Sequence, residues 1–231
     1  MRQPLVLLPG LLCDSALWRP VTDALAVEAA AVVADLTLDD SVADMAARVL
    51  EWAPPRFALA GLSMGGYVAQ EIMRQAPERV TRLALLDTSA REDSDEQRRR
   101  RGGLIALARQ GRFKGVTPRL LPLLVHPDRL EDAELVGLVM GMAERVGRDA
   151  FLRQQTAILG RPDGIADLSR IDCPALILCG RQDALTAPAL HEEMAFHMRG
   201  ATLVQIDDCG HLSSLERPEA VVAAMRAWLA A

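Results

Sequence analysis

The chain is poor in several things, and each scarcity narrows its function. It has 231 residues and a net charge of −5. With no excess of positive charge, nucleic acid is not expected as a main partner. Lys114 is the only lysine; arginine supplies the rest of the positive charge, which reads as coding bias and carries no functional meaning. No apolar stretch approaches the roughly 18 residues of a membrane span, so no membrane partner is expected. Aromatic residues make up 3% of the chain, which speaks against an aromatic-lined pocket. The four cysteines, Cys13, Cys173, Cys179 and Cys209, form no C-x-x-C pair and have no metal-ligand spacing. Neither a redox dithiol nor a metal centre is therefore expected.

Met1 to Cys13 superficially resembles a lipoprotein signal. Pro9 and Gly10 interrupt its short apolar run, and Leu12 is not the small residue a cleavage site needs. The segment reads better as a first core strand and its exit loop. Without a leader the cysteines are expected to be reduced packing residues of a cytoplasmic protein, Cys209 included although it lies two residues before a histidine.

What is present is apolar and ordered. Half the residues are hydrophobic, enough for a sizeable core, and the length suits one large domain or a core with an insertion. Strand-like runs at Leu5–Leu8, Ala31–Leu36, Arg56–Ala60 and Val80–Leu86 alternate with helix-like runs at Leu17–Ala26, Ser41–Trp52 and Gly66–Ala76. In the second helix Val42, Met45, Val49 and Trp52 share a face. From Thr88 to Ile171 no buried strand is legible. Helical stretches near Glu92–Gln110, Thr117–Val125, Asp128–Gly147 and Arg148–Leu159 fill that interval. The run Arg98–Arg101 follows Glu92, Asp93, Asp95 and Glu96 and reads as a solvated helix face. Alternation resumes with Ala175–Cys179, Ala187–Met198, Thr202–Ile206 and Pro218–Leu229. This predicts an α/β fold, a doubly wound and mostly parallel sheet of about six strands. Residues 1–87 and 172–231 form its core, and residues 88–171 form a helical cap inserted at one edge.

The most informative motif is Gly61-Leu62-Ser63-Met64-Gly65, set between a strand-like and a helix-like run. A serine on a sharp strand-to-helix turn is exposed, and small residues on either side let the turn pass close to its neighbours. A serine hydroxyl needs a base to take its proton, and the base needs an acid to hold its tautomer. Of the four histidines, His191 and His197 lie on a helix with no chemical neighbourhood. His126 lies in the inserted segment. His211, in Cys209-Gly210-His211, follows a strand end, where sites form in parallel sheets. His211 is the candidate base. Asp183, in the loop after another strand, is the candidate acid, favoured over Asp87 at the end of Val80–Leu86 because its loop adjoins the histidine strand. Asp87 otherwise reads as a strand-end carboxylate capping local N–H groups. The backbone amides of Met64 and Leu11 are candidate oxyanion donors, the first at a helix N-terminus and the second in the Gly10 loop.

Together these residues resemble the α/β-hydrolase superfamily. The elbow Gly61 to Gly66, the Gly180-x-x-Asp183 loop, and Gly210-His211 followed by Glu216-Arg217-Pro218-Glu219 match it in order and spacing over essentially the whole chain. The resemblance implies a catalytic triad of Ser63, Asp183 and His211, an oxyanion hole at Leu11 and Met64, and a helical cap over the site. Two departures stand out. Pro9-Gly10 replaces the His-Gly that many members carry after the first strand, so any bracing by that histidine is lost. The amino-terminal antiparallel strands common in the superfamily are also missing from the pattern.

The expected activity is hydrolysis of small to medium apolar carboxylic esters through an acyl-enzyme, with no cofactor. Leu12, Leu124, His126 and Met140 are candidate pocket residues. A lactone, enol-lactone or C–C bond beside a ketone would suit the same machinery. A slow-turnover small-molecule receptor retaining the triad is the reading from a different class.

Overall fold

Residues along the central strands alternate between two helical layers, and both faces are buried. The computed structural model describes residues 2–231. Strands β1 (Gln3–Leu8), β2 (Ala29–Val33), β3 (Phe57–Leu62), β4 (Val80–Leu86), β5 (Ala175–Gly180) and β6 (Thr202–Ile206) form one sheet in the order 2-1-3-4-5-6. All neighbours run parallel. Leu5 and Leu7 of β1 and Ala58, Ala60 and Leu62 of β3 pack on one side with Leu17, Val21, Val221 and Met225. Val6, Leu8, Phe57 and Leu59 pack on the other with Met45, Val49, Val68 and Ile72. The two-residue side-chain period of a strand enforces this division, and covering both faces explains why β3 and β5 read as unbroken apolar runs.

The helices follow in chain order: α1 (Arg19–Ala24), α2 (Val42–Trp52), α3 (Met64–Gln75), α4 (Asp95–Arg109), α5 (Ala133–Gly160), α6 (Ile165–Leu168), α7 (Pro188–His197), α8 (Ser213–Glu216) and α9 (Pro218–Ala230). Ser41 caps α2 by accepting the Asp44 amide. Ser94 and Gln97 form a reciprocal capping box on α4. Between β4 and β5 only helices and turns occur. There α5 continues through Gly147, whose φ of 75° breaks the helical path between the two stretches read from sequence. No helix among the described residues is long and apolar enough to cross a membrane.

Three local expectations are corrected. The second strand is Ala29–Val33, two residues earlier than its apolar run, because pairing begins with Gln3 opposite Ala29. Trp52 is 43% exposed, since α2 ends there and the ring passes beyond the edge of the core. Thr117–Val125 forms only a short 3-10 turn at Leu121–Leu123, where Pro122 removes a backbone donor.

Candidate active site

Three loops leaving the carboxyl ends of β1, β3 and β4 each carry a non-glycine residue at positive φ: Leu12 (59°), Ser63 (54°) and Asp87 (45°). Such backbone costs on the order of 1–3 kcal/mol per residue and persists only where the surroundings hold it. The strand order turns outward on both sides of β1, which opens a crevice at the ends of β1 and β3.

Ser63 is held by its own backbone. Its amide donates to Leu86 O at 3.0 Å, and its carbonyl accepts from Gly66 N at 2.9 Å and from Thr88 Oγ1 at 2.8 Å. The flanking glycines are sterically required. A Cβ on Gly61 would stand 2.2 Å from Gly65 O, and one on Gly65 would stand 2.1 Å from Leu8 O. Ser63 Oγ lies 2.9 Å from His211 Nε2. His211 Nδ1 lies 2.9 and 3.0 Å from the two oxygens of Asp183. A carboxylate can only accept, so Nδ1 carries the proton and Nε2 is free to accept from the serine hydroxyl.

The surroundings set the charges. Asp183 Oδ1 also accepts from the amides of Leu185 and Thr186, both at 2.9 Å, and Oδ2 accepts from Thr186 Oγ1 at 2.6 Å. Burial pushes this carboxyl up, but the His211 charge and the donors from His211 and Thr186 outweigh it and hold it below the usual range. Burial pulls His211 down; the Asp183 charge and hydrogen bond, with help from Asp87 and Glu216, lift it above its ordinary value.

Asp87 lies in the same neighbourhood but makes no hydrogen bond to His211. It accepts from Gly180 N and Ser213 N, each at 3.2 Å, and pairs with Ser213 Oγ. Its N–H donors come from distant segments, not from the local ones expected. Burial and the charge of Asp183 raise it well above a normal carboxylate. His191 is satisfied in the core: its Nε2 accepts Thr88 N at 2.9 Å, and burial pushes it down to about 4. Cys209 is fully buried, as expected of a packing residue, and does not line the cavity.

Gly10 packs against Ser63: a Cβ there would stand 3.4 Å from Ser63 Cβ. The amides of Leu11 and of Met64, the first residue of α3, have no partner among the described residues. Leu12 N is occupied, donating to Gln154 Oε1 at 3.1 Å. A cavity of about 1310 Å³ opens over Ser63 and His211, walled by Leu11, Leu12, Leu104, Leu120, Leu124 and Val139 among others. Two pocket candidates fail. Met140 is not among the lining residues, because Val139 is the face of α5 turned inward. His126 is not there either; its backbone N–H donates to Glu216 Oε2 at 2.6 Å and its Nδ1 accepts Asp128 N at 3.2 Å. The pocket is also more aromatic than composition suggests, since Tyr67, Phe113 and Phe151 all line it.

Gln154 carries no sequence motif, and Glu216 stands in the motif after His211 without its role being legible there. Gln154, 1% exposed, lies in the apolar part of α5; a glutamine pair amid Phe151–Ile158 was the available signal. Glu216 is buried and accepts Gly210 N at 3.0 Å besides His126 N, fixing the His211 loop against the inter-strand segment.

The matching family model is the alpha/beta hydrolase family, aligned over residues 5–224. The chain belongs to the alpha/beta hydrolase family. This alpha/beta hydrolase is 31% identical over 195 residues to a protein named as a non-heme bromoperoxidase of Mycobacterium tuberculosis, covering 82% of the chain and 74% of the relative. It is 29% identical to a pimeloyl-[acyl-carrier protein] methyl ester esterase of Neisseria meningitidis, covering 72% and 66%. Its backbone matches a thermophilic esterase from Thermogutta terrifontis at TM-score 0.88 and 28% identity, over 99% of the chain and 89% of that structure. It matches the enol-lactonase from Burkholderia xenovorans at TM-score 0.89 and 23% identity, over 100% and 92%, a likeness of fold alone.

Proposed function

We propose that this alpha/beta hydrolase cleaves carboxylic esters with Ser63 as nucleophile, His211 as base and Asp183 as the acid that orients it. The observation that carries this reading is the continuous relay from Ser63 Oγ through both ring nitrogens of His211 to Asp183, every step 2.9–3.0 Å, at the foot of a largely apolar cavity. Ester-cleaving relatives by name, the Neisseria methyl ester esterase and the Thermogutta esterase, support it.

Ser63 Oγ attacks the carbonyl carbon while its proton passes to His211 Nε2. The developing oxyanion is held by the Leu11 and Met64 amides, the latter at the positive end of α3. His211 returns the proton to the departing alkoxide. Water then repeats the sequence on the acyl-enzyme, giving up a proton to His211, which passes it back to Ser63 as the acid leaves. The helices between β4 and β5, residues 88–171, act as the cap that roofs the cavity and keeps bulk water from it. No metal or organic cofactor enters these steps.

Turnover of p-nitrophenyl esters of increasing chain length, by wild type and Ser63→Ala, tests the proposal. Wild-type kcat should exceed that of the variant by about 10⁴-fold or more. Equal rates at every chain length would favour a non-turning-over receptor.

A further inference from the structure

We propose that the part of the cavity where Arg101 and Arg161 meet is an anion subsite, and that the ester it selects carries a carboxylate remote from the scissile carbonyl. This rests on the serine-hydrolase reading and names its substrate class. The first observation is one of sign. Seven cationic residues line the cavity, Arg91, Arg100, Arg101, Arg112, Lys114, Arg119 and Arg161, against the three acids Glu92, Asp93 and Asp163. The chain as a whole carries −5. Arg91 is paired with Glu193 outside the lining, and the remaining cations still outnumber the lining acids, an excess that favours anions in an otherwise acidic protein.

The second observation is a buried imbalance. Asp93, 4% exposed, faces two guanidiniums: Arg101 Nε donates to Oδ2 at 2.6 Å, and Arg161 Nη2 lies 2.8 Å from Oδ1. One carboxylate between two arginines leaves one positive charge uncompensated in a partly desolvated corner, where an unpaired charge is costly. Arg161 is 7% exposed, and its Nε has no partner among the described residues. Its Nη groups bond Ile158 O and Arg91 O, and its face covers the Tyr67 ring at 4.1 Å. Arg101 Nη1 donates to Gln155 Oε1 at 2.8 Å, while its Nη2 has no partner among the described residues. Arg101 therefore does not belong to a solvated helix face, as its sequence run suggested; it turns inward.

The third observation is position. Tyr67, whose ring lies under the Arg161 guanidinium, is four residues after Ser63, in the first turn of α3, and lines the same cavity. The subsite and the serine therefore open into one cavity. A net single charge suits a carboxylate better than a phosphate dianion. The planar fork of a guanidinium matches a carboxylate bidentately.

The test uses p-nitrophenyl hydrogen dicarboxylates, succinate to suberate, against neutral p-nitrophenyl esters of equal chain length. At one length the acidic member should be preferred in kcat/KM by at least about tenfold, a typical return for one charge-assisted contact. That ratio should collapse toward one in Arg101→Gln and Arg161→Gln; Arg101→Gln carries the test alone if Arg161→Gln fails to fold. Turnover of neutral esters with no preference at any length would overturn the subsite and leave the hydrolase reading standing. Turnover of neither series would overturn the hydrolase reading. In that event, calorimetric titration of the Ser63→Ala protein with adipate decides the subsite: binding lost in Arg101→Gln supports it, and no binding overturns it. Tighter binding of butyl phosphate than of valerate would overturn the carboxylate assignment.

Discussion

Gln154 Oε1 accepts the Leu12 amide at 3.1 Å, so a helix inserted between β4 and β5 holds the loop that follows β1. Its Nε2 donates to Leu36 O at 3.1 Å, which leaves the carboxamide no freedom to turn away. The bracing that a histidine after the first strand would supply in many relatives of this fold comes here from α5. Gln154→Leu keeps the volume and removes both bonds. In the proposed mechanism it displaces the neighbouring Leu11 amide from the oxyanion, which exists only in the transition state. The expected result is a kcat loss of about 10–100-fold with KM changed far less. Weaker inhibition by a trifluoromethyl ketone should accompany it. A change confined to KM would show that the loop does not serve the oxyanion.

Asp183 and Asp87 can be told apart by the same substitution. Asp183→Asn places a carboxamide against His211 Nδ1 and favours the wrong tautomer, with a kcat loss of about 10⁴-fold by analogy with serine proteases. Asp87 makes no hydrogen bond to His211 and bonds Gly180 and Ser213 instead, so Asp87→Asn leaves the contacts of the relay in place. Its effect should stay within about tenfold, of the order of one lost hydrogen bond. A larger loss in Asp87→Asn than in Asp183→Asn would reverse the assignment.

Activity should rise with pH as His211 loses its proton, since only the neutral ring accepts from Ser63. Because Asp183 outweighs burial at this ring, the inflection in kcat/KM should lie above the ordinary 6.5. A profile flat from pH 5 to 8, roughly the titration range of histidine, would exclude a histidine base.

His191 should govern stability on the acid side. Burial holds it near 4 when folded, against 6.5 when unfolded, so the unfolded chain binds the proton more readily between those values. Its contribution is fully present above 6.5 and is lost as pH falls toward 4, a difference of up to about 3 kcal/mol at 1.36 kcal/mol per unit. Urea unfolding of wild type and His191→Gln at pH 7 and 4.5 should show the wild type losing more on acidification. Equal losses would place the sensitivity elsewhere.

Local chemistry was legible. The run from Phe57 to Gln75 announced a strand, a sharp turn and a helix, because buried parallel strands are continuously apolar and the turn tolerates only small neighbours. Ser63, Asp183 and His211 could be named because each follows a strand end, and the structure brings their side chains within hydrogen-bond distance. His126 and Met140 lie outside the cavity wall, because sequence distance says nothing of the face an inserted helix or turn presents.

The one-dimensional pattern therefore determined the fold class and the three groups of the relay, since periodicity and turn chemistry are properties of short segments. Tertiary structure alone decided which residues wall the cavity, that Gln154 secures Leu12, and that Arg101 and Arg161 share one carboxylate. Each of these joins residues from separate elements or depends on which way a helix face turns. Packing against the sheet sets that orientation, and no local signal encodes it.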